Sequence, residues 1–279
     1  MEIRAEDVKN LRDKTGAGMM DCKKALAQSE GDFNKALKFL KEQGLAAVAK
    51  RAGKATNEGK VFTKVVSGRA AILELFCETD FVSRNADFIK LGEELTASIA
   101  GGKDPQDSGL LDKVADLTAK IKENMGLRRA QALDFGSNSL VIDYIHDGRI
   151  GVLVKASADK PEVLAKEEVK TFVLNCALHI AAYNPSFLSE KDVDAEYLKE
   201  QMEIFTKQAE SLGKPANVLE GIAKGKLKKH MAEVCFLEQP FVKDDKKSVK
   251  EVLADVAKLS GGSLTIDSFI YYRVGEETK

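Results

Sequence analysis

The residues best equipped for chemistry are four cysteines, Cys22, Cys77, Cys176 and Cys235, and three histidines, His146, His179 and His230. A zinc site needs thiolates or imidazoles at short intervals, and neither a C-x-x-C pair nor an H-E-x-x-H pair occurs. The thiols therefore read as buried and reduced rather than as metal ligands or disulfide partners. Cys77 stands close to Asp80 but has no histidine near it in sequence, so a thiolate nucleophile would need a base brought in by the fold. A phosphate loop requires G-x-x-x-x-G-K-[ST], whose backbone N–H groups and lysine hold the phosphates, and neither Gly53 to Lys60 nor Gly101-Gly102-Lys103 supplies it. There is no G-x-S-x-G elbow. The chain reads as a non-enzyme with no nucleotide, metal or cofactor of its own.

The unusual stretch is Glu74-Leu75-Phe76-Cys77-Glu78-Thr79-Asp80-Phe81-Val82-Ser83-Arg84. A buried strand ends there at a Thr-Asp step suited to helix capping, yet a large aromatic follows beside acidic side chains. The ordinary reading makes Thr79 or Asp80 a cap and Phe81 a core residue. A second cluster, Lys224, Lys226, Lys228 and Lys229, reads first as a solvated helix face. Nucleic-acid binding is disfavoured generally, because 43 basic against 44 acidic residues leave a formal charge of −1 and no excess to neutralise phosphates. No apolar run approaches the roughly 20 residues of a membrane span, and the charged N-terminus lacks a signal-peptide core. The expected location is cytoplasmic.

Periodicity supplies the elements that carry these residues. Residues 1 to about 43 predict three short helices, the last placing Phe33, Ala36, Leu37 and Leu40 on one face behind an Asp32 cap. The second carries Met20, Cys22, Ala25 and Leu26. So small a bundle is marginal alone and suits a docking module. Ala49 to Lys54 reads as a basic linker. The period then changes: Val61–Val66, a Ser67-Gly68 turn and Ala70–Cys77 predict a hairpin, followed by a helix from about Asp87 with Phe88, Leu91, Leu95 and Ile99 in a stripe. Leu140–Ile145, an Asp147-Gly148 turn, Ile150–Val154 and a helix around Glu168 to Tyr183 repeat that plan. Between 192 and 234 the pattern is helical, with Leu198, Met202, Phe205, Ala209 and Leu212 in coiled-coil spacing and a looser second arm of Ala223, Leu227, Met231 and Val234. A capping box, Ser248 to Glu251, opens a helix ended by Gly261-Gly262, and a last strand alternates Leu264, Ile266, Ile270, Tyr272 and Val274.

The fold class expected is therefore α+β. A helical bundle and linker occupy 1–54, one hairpin-plus-helix subdomain occupies 55–139, and a related one occupies 140–191 and 235–279. The helical hairpin at 192–234 is inserted into the second.

Two segments resemble a known family. The residues from Leu11 to Leu26, with Thr15-Gly16-Ala17-Gly18-Met19-Met20 at their centre, and Glu78-Thr79-Asp80-Phe81-Val82 are similar to the two signature regions of the bacterial elongation factor Ts family. The likeness continues through Leu127-Arg128-Arg129, His146 to Val154, Gly213-Lys214-Pro215 and Gln239-Pro240-Phe241-Val242. Phe76 stands where members often carry a small or polar residue. The chain stops at Lys279, where some members continue into a helical module.

The resemblance implies a ubiquitin-associated-like N-terminal bundle and a partner, elongation factor Tu, met in its GDP-bound and nucleotide-free forms. It implies that Thr79, Asp80, Phe81 and Val82 form a tip that enters the partner's GTPase domain, disturbs its magnesium and nucleotide site, and promotes GDP release until GTP enters. Arg12, Met19, Met20 and His146 would add docking contacts. Direct binding of nucleotide, nucleic acid or membrane is not expected, whereas the hairpin seam leaves room for a homodimer. The alternative is a non-catalytic scaffold or RNA-associated translation factor using the bundle and the lysine-bearing arm.

Overall fold

Helices α1 (Ala5–Thr15), α2 (Met19–Gln28) and α3 (Phe33–Arg51) form where the apolar spacing predicts them. The computed structural model describes residues 3–15, 17–51, 56–210 and 216–276. Val8, Leu11, Cys22, Ala25, Leu26 and Ala36 make the bundle's buried centre, with Phe33, Leu37 and Leu40 packed around it. Asp32 Oδ1 accepts the Asn34 and Lys35 N–H groups, both at 2.9 Å, satisfying two of the donors a helix start leaves open. α3 runs on to Arg51, so the expected linker is helical from Ala49 to Arg51, and 52–54 lie outside the described residues. Its alanines, leucine and lysine favour helix, and no proline interrupts them.

The class is α+β, as expected. The chain divides into two compact units, one of Met1–Leu133, Ile145–Gly151 and Tyr272–Lys279, the other of Asp134–Tyr144 and Val152–Tyr271.

In the first unit, β1 (Glu58–Val66) and β2 (Arg69–Cys77) pair antiparallel, from Glu58 opposite Cys77 to Val66 opposite Arg69. Helices α4 (Asp80–Ser83), α5 (Ala86–Ala100) and α6 (Ser108–Ile121) follow, then β3 (Gly126–Asp134), which extends the sheet in the order β1-β2-β3. α6 and β3 are additions to the hairpin-plus-helix plan read from sequence. Ala71, Leu73, Leu75 and Cys77 of β2 pack against Phe88, Leu91, Leu95 and Ile99 of α5 and Leu110 and Val114 of α6. Each large apolar side chain removed from water there contributes roughly 1.5–3 kcal/mol.

The other face of β2 is also covered, and there Glu74 is fully buried. Its carboxylate accepts Arg129 Nε at 2.9 Å and the Gly275 N–H at 2.9 Å, and Arg128 Nε lies 3.2 Å away. Arg129 also lies over the Tyr272 ring, 4.2 Å from its centroid, and donates to the Arg273 carbonyl at 3.0 Å. One carboxylate thus ties β2, β3 and the C-terminal segment together.

β4 (Ser139–His146) and β5 (Ile150–Ala158) are joined by a turn in which Arg149 N–H donates to His146 O at 3.0 Å. Asp147 and Gly148 have φ of 51° and 70°, the paired positive values of a type I′ turn, for which Asp-Gly is the favoured sequence. β8 (Leu264–Arg273), the last strand, completes a sheet in the order β4-β5-β8.

The second unit contains α7 (Pro161–Leu164), α8 (Glu167–Tyr183), α9 (Ala195–Glu210), α10 (Ala216–Val234), the short pair β6 (Pro240–Phe241) and β7 (Asp244–Ser248), and α11 (Val249–Ser260). α9 and α10 pack along each other. Leu198, Met202, Phe205 and Ala209 are buried or half-buried, while Leu212 lies outside the described residues. At the base of the pair, Val193, Met231 and Cys235 form a small core, and Tyr197 OH meets His230 Nε2 at 2.8 Å. α11 carries the expected capping box: Ser248 Oγ accepts the Glu251 N–H at 3.3 Å, and Glu251 Oε2 accepts the Ser248 N–H at 2.7 Å. All four cysteines are free and buried. No helix of the described residues is long and apolar enough to cross a membrane.

His179 of α8 is buried among the rings of Tyr183, Phe236 and Phe241. Its Nδ1 accepts the Val242 N–H at 3.1 Å, so Nε2 carries the proton and donates to Gln239 Oε1 at 2.8 Å. Burial holds its pKa below the ordinary 6.5, partly countered by the bond to Gln239.

Two outcomes follow from these buried groups. Glu74→Ala strands the two arginines beside a buried vacancy and is expected to cost about 3–5 kcal/mol, read by urea denaturation. His179 is neutral in both folded and unfolded chains above pH 6.5, its ordinary value. As pH falls from there toward the lower folded value, only the unfolded chain gains the proton, and stability declines. Denaturation midpoints measured between pH 8 and pH 5 are expected to show that decline, and His179→Gln is expected to remove this part of it.

Candidate functional site

β2 delivers the chain to the molecular surface at Cys77, and the next six residues make a single-turn projection. Thr79 is extended, at φ −127° and ψ 155°, and serves as the N-cap of α4, its Oγ1 accepting the Val82 N–H at 3.4 Å. The cap is therefore Thr79, and Asp80 is the first helical residue. Both side chains have oxygens suited to capping, and the extended backbone at Thr79 decides between them.

Every polar atom of Thr79 is engaged. Its N–H donates to Glu123 Oε2 at 3.2 Å, its hydroxyl to Glu123 Oε1 at 2.9 Å, and its carbonyl accepts the Cys77 thiol at 3.1 Å and the Ser83 N–H at 3.3 Å. In return, Glu78 Oε1 accepts the Asn124 N–H at 2.6 Å. Burial, reinforced by the charges of Glu123 and Glu58, pushes the Cys77 thiol up to about 12, so at neutral pH it is a donor and no nucleophile.

The four expected tip residues divide in two. Val82 is buried in the core under β2 and α5, and Thr79 is half-buried in its bonds. Asp80 and Phe81 face outward: Phe81 is 82% exposed, and Asp80 pairs with solvent-exposed Arg84 at 3.1 Å. The core reading of Phe81 is overturned. An aromatic ring left in water forgoes roughly 1.5–3 kcal/mol of burial.

Glu123 and Asn124 are site residues that helical or strand periodicity does not reveal. They sit in the connection between α6 and β3, where Lys122 at φ 66° ends the helix in the left-handed region. Asn124 and Met125 are buried, which fixes the connection from below. Phe76 finds its place here too. Its ring lies against Gly126, where an added Cβ would come within 2.6 Å of it, and the Arg128 guanidinium lies 5.3 Å from its centroid.

The bundle presents three of the remaining candidates, and the β4–β5 turn presents the fourth. Met19 and Met20, in the first turn of α2, are 59% and 74% exposed, so Met20 is no part of the bundle core. Arg12 of α1 is exposed, and so is His146, at the β4–β5 turn with Asp147 Oδ2 at 3.7 Å. Lys122 reaches from the α6–β3 connection to Asp21 of α2 at 3.1 Å. The bundle and the tip are thereby attached to the same connection. Among the described residues no group of three or more His, Cys, Asp or Glu side chains is arranged to hold a metal.

The family model for elongation factor TS matches residues 78–276, a span that includes the tip and the Glu123 connection. A Treponema denticola protein named elongation factor Ts is 50% identical over 278 residues, covering 99% of each chain. Proteins of the same name from Treponema pallidum and Borrelia recurrentis are 46% and 44% identical, covering 99% of this chain and 99% and 100% of their own. Likeness of that extent across bundle, core and tip means that the chain belongs to the elongation factor Ts family of translation elongation factors.

Proposed function

We propose that the chain is a guanine-nucleotide exchange factor for elongation factor Tu, acting in the cytoplasm by binding alone and without a cofactor. It engages the GDP-bound partner, presses the Asp80-Phe81 tip into the magnesium and nucleotide site, and stays on the nucleotide-free partner until GTP enters. The observation that carries this reading is Phe81, 82% exposed on a turn whose capping residue, Thr79, has its amide, hydroxyl and carbonyl all bonded.

The energetics are those of linked binding. A protein that prefers the nucleotide-free partner weakens nucleotide binding by the same factor by which nucleotide weakens its own. Each tenfold loosening needs about 1.4 kcal/mol. Burying one Phe side chain supplies roughly 1.5–3 kcal/mol, or one to two decades, and wider contacts supply the rest. Displacing Mg²⁺ adds strongly, because the ion is the largest local charge beside the phosphates. Asp80 is suited to that task, since its exposed pair with Arg84 is readily exchanged for new partners. Arg12, Met19, Met20 and His146 are assigned to docking, where unbranched methionines adapt to a partner's surface.

The test is GDP release measured beside thermal melting. Phe81→Ala is expected to leave the melting temperature nearly unchanged and to slow GDP release about ten-fold or more, matching roughly 1.5–3 kcal/mol of lost burial in the complex. Asp80→Ala is expected to slow release with a stability cost of about 0–1 kcal/mol, since only an exposed pair is lost. Normal release by both variants contradicts the proposal. A Met19→Ala, Met20→Ala double variant is expected to raise the half-saturating concentration while leaving the maximal release rate intact; an unchanged concentration removes these residues from the docking surface.

A further inference from the structure

A four-residue helix cannot hold its own direction, because one turn fixes several dihedrals for a single backbone bond. The bearing of Phe81 must come from outside α4, and the strongest outside restraint on Thr79 is Glu123, 44 residues away in sequence. We propose that Glu123 is a positioning residue for nucleotide exchange, one that sets the direction of the Asp80-Phe81 tip without touching the partner. The proposal rests on the exchange reading above.

The chemistry of the contact supports this role. An ionised carboxylate accepts hydrogen bonds and donates none, so Thr79 must point its hydroxyl proton at Glu123. The hydroxyl lone pairs are then turned toward the Val82 N–H, the capping bond that starts α4. The same carboxylate takes the Thr79 N–H, so one side chain fixes both the backbone plane and the rotamer of the capping residue. The reciprocal bond from Asn124 N–H to Glu78 prevents the two segments from sliding past each other. Their anchors are firm: Asn124 and Met125 are buried on one side, Cys77 and Val82 on the other. The Lys122–Asp21 pair attaches α2 to the same connection, but it is exposed and contributes little to holding it.

The experiment measures release of labelled GDP from elongation factor Tu, well below the melting temperature, as a function of full-length chain concentration. Wild type is compared with Phe81→Ala, Glu123→Ala, Glu123→Asp, Glu123→Gln and the Glu123→Ala, Phe81→Ala double variant. Glu123→Ala is expected to lower the maximal release rate about ten-fold, as misplacement of a reacting group does, with the half-saturating concentration within about three-fold of wild type. Glu123→Gln keeps an acceptor at the same reach and is expected to stay within about three-fold of wild type. Glu123→Asp keeps the charge but withdraws it by one methylene, and is expected to resemble Glu123→Ala. The double variant is expected to match Phe81→Ala alone, since a residue acting through the tip has nothing left to act on.

Wild-type maximal rates in Glu123→Ala and Glu123→Asp overturn the proposal, and so do fully additive losses in the double variant. If Glu123→Ala does not fold, the Asp and Gln variants decide: a faster Asp than Gln variant means that charge matters rather than reach, and overturns it. Failure of wild type to accelerate release overturns the exchange reading and this role with it. Slowing by Phe81→Ala with no effect at Glu123 overturns this role alone.

Discussion

An exposed aromatic ring is useful to a partner only if it waits in a fixed direction, and the bonds around Thr79 supply that condition. Its amide, hydroxyl and carbonyl are bonded to Glu123, Val82, Cys77 and Ser83, so the residue before the tip has no polar group left to rearrange. A loop free to reorient would lose side-chain and backbone freedom on docking, at about 0.5–1.5 kcal/mol for each immobilised side chain. Here much of that ordering is already done in the free protein. The same rigidity separates roles among four adjacent residues: Val82 roots the turn in the core, Thr79 caps it, and Asp80 and Phe81 are left outside.

What lies beneath explains why the anchor is firm. β2 is buried on both faces, with the α5 and α6 side chains on one and the Glu74 cluster on the other. A strand enclosed in that way moves as part of the core, and the tip is its direct continuation. The α6–β3 connection that carries Glu123 is held in turn by Asn124, by Met125 and by Phe76 against Gly126. The energy that fixes the tip is therefore ordinary apolar burial, transmitted through a few part-buried hydrogen bonds.

Legibility in the sequence followed the range of the forces involved. β1, β2, β5, α5, α8 and α11 were readable because burial of one face or both imposes a period or a continuous apolar run on neighbouring residues. β3 was not, because Arg128, Arg129 and Gln131 interrupt its pattern; the arginines are there for Glu74, whose position in the chain gives no local hint of them. α3 outran its expected end because Gly44, which reads as a stop, is followed by a run of helix formers that carries the helix on to Arg51. At the site, the capping step was visible, but choosing between Thr79 and Asp80 needed the backbone angles. Phe81 was misleading on physical grounds alone, since aromatic residues usually repay burial, and only the resemblance to the elongation factor Ts family turned it outward. Glu123 lay beyond reach: a bond across 44 residues leaves no periodic trace in one sequence.

If the tip loosens nucleotide by disturbing the partner's magnesium site, as proposed, then magnesium concentration must govern its effect. Release of labelled GDP from elongation factor Tu should be measured with and without the wild-type chain, first in millimolar Mg²⁺ and then with the ion chelated. Strong acceleration is expected in Mg²⁺ and a much smaller factor without it, because chelation has already done part of the work. No acceleration, or the same factor in both conditions, contradicts the proposal.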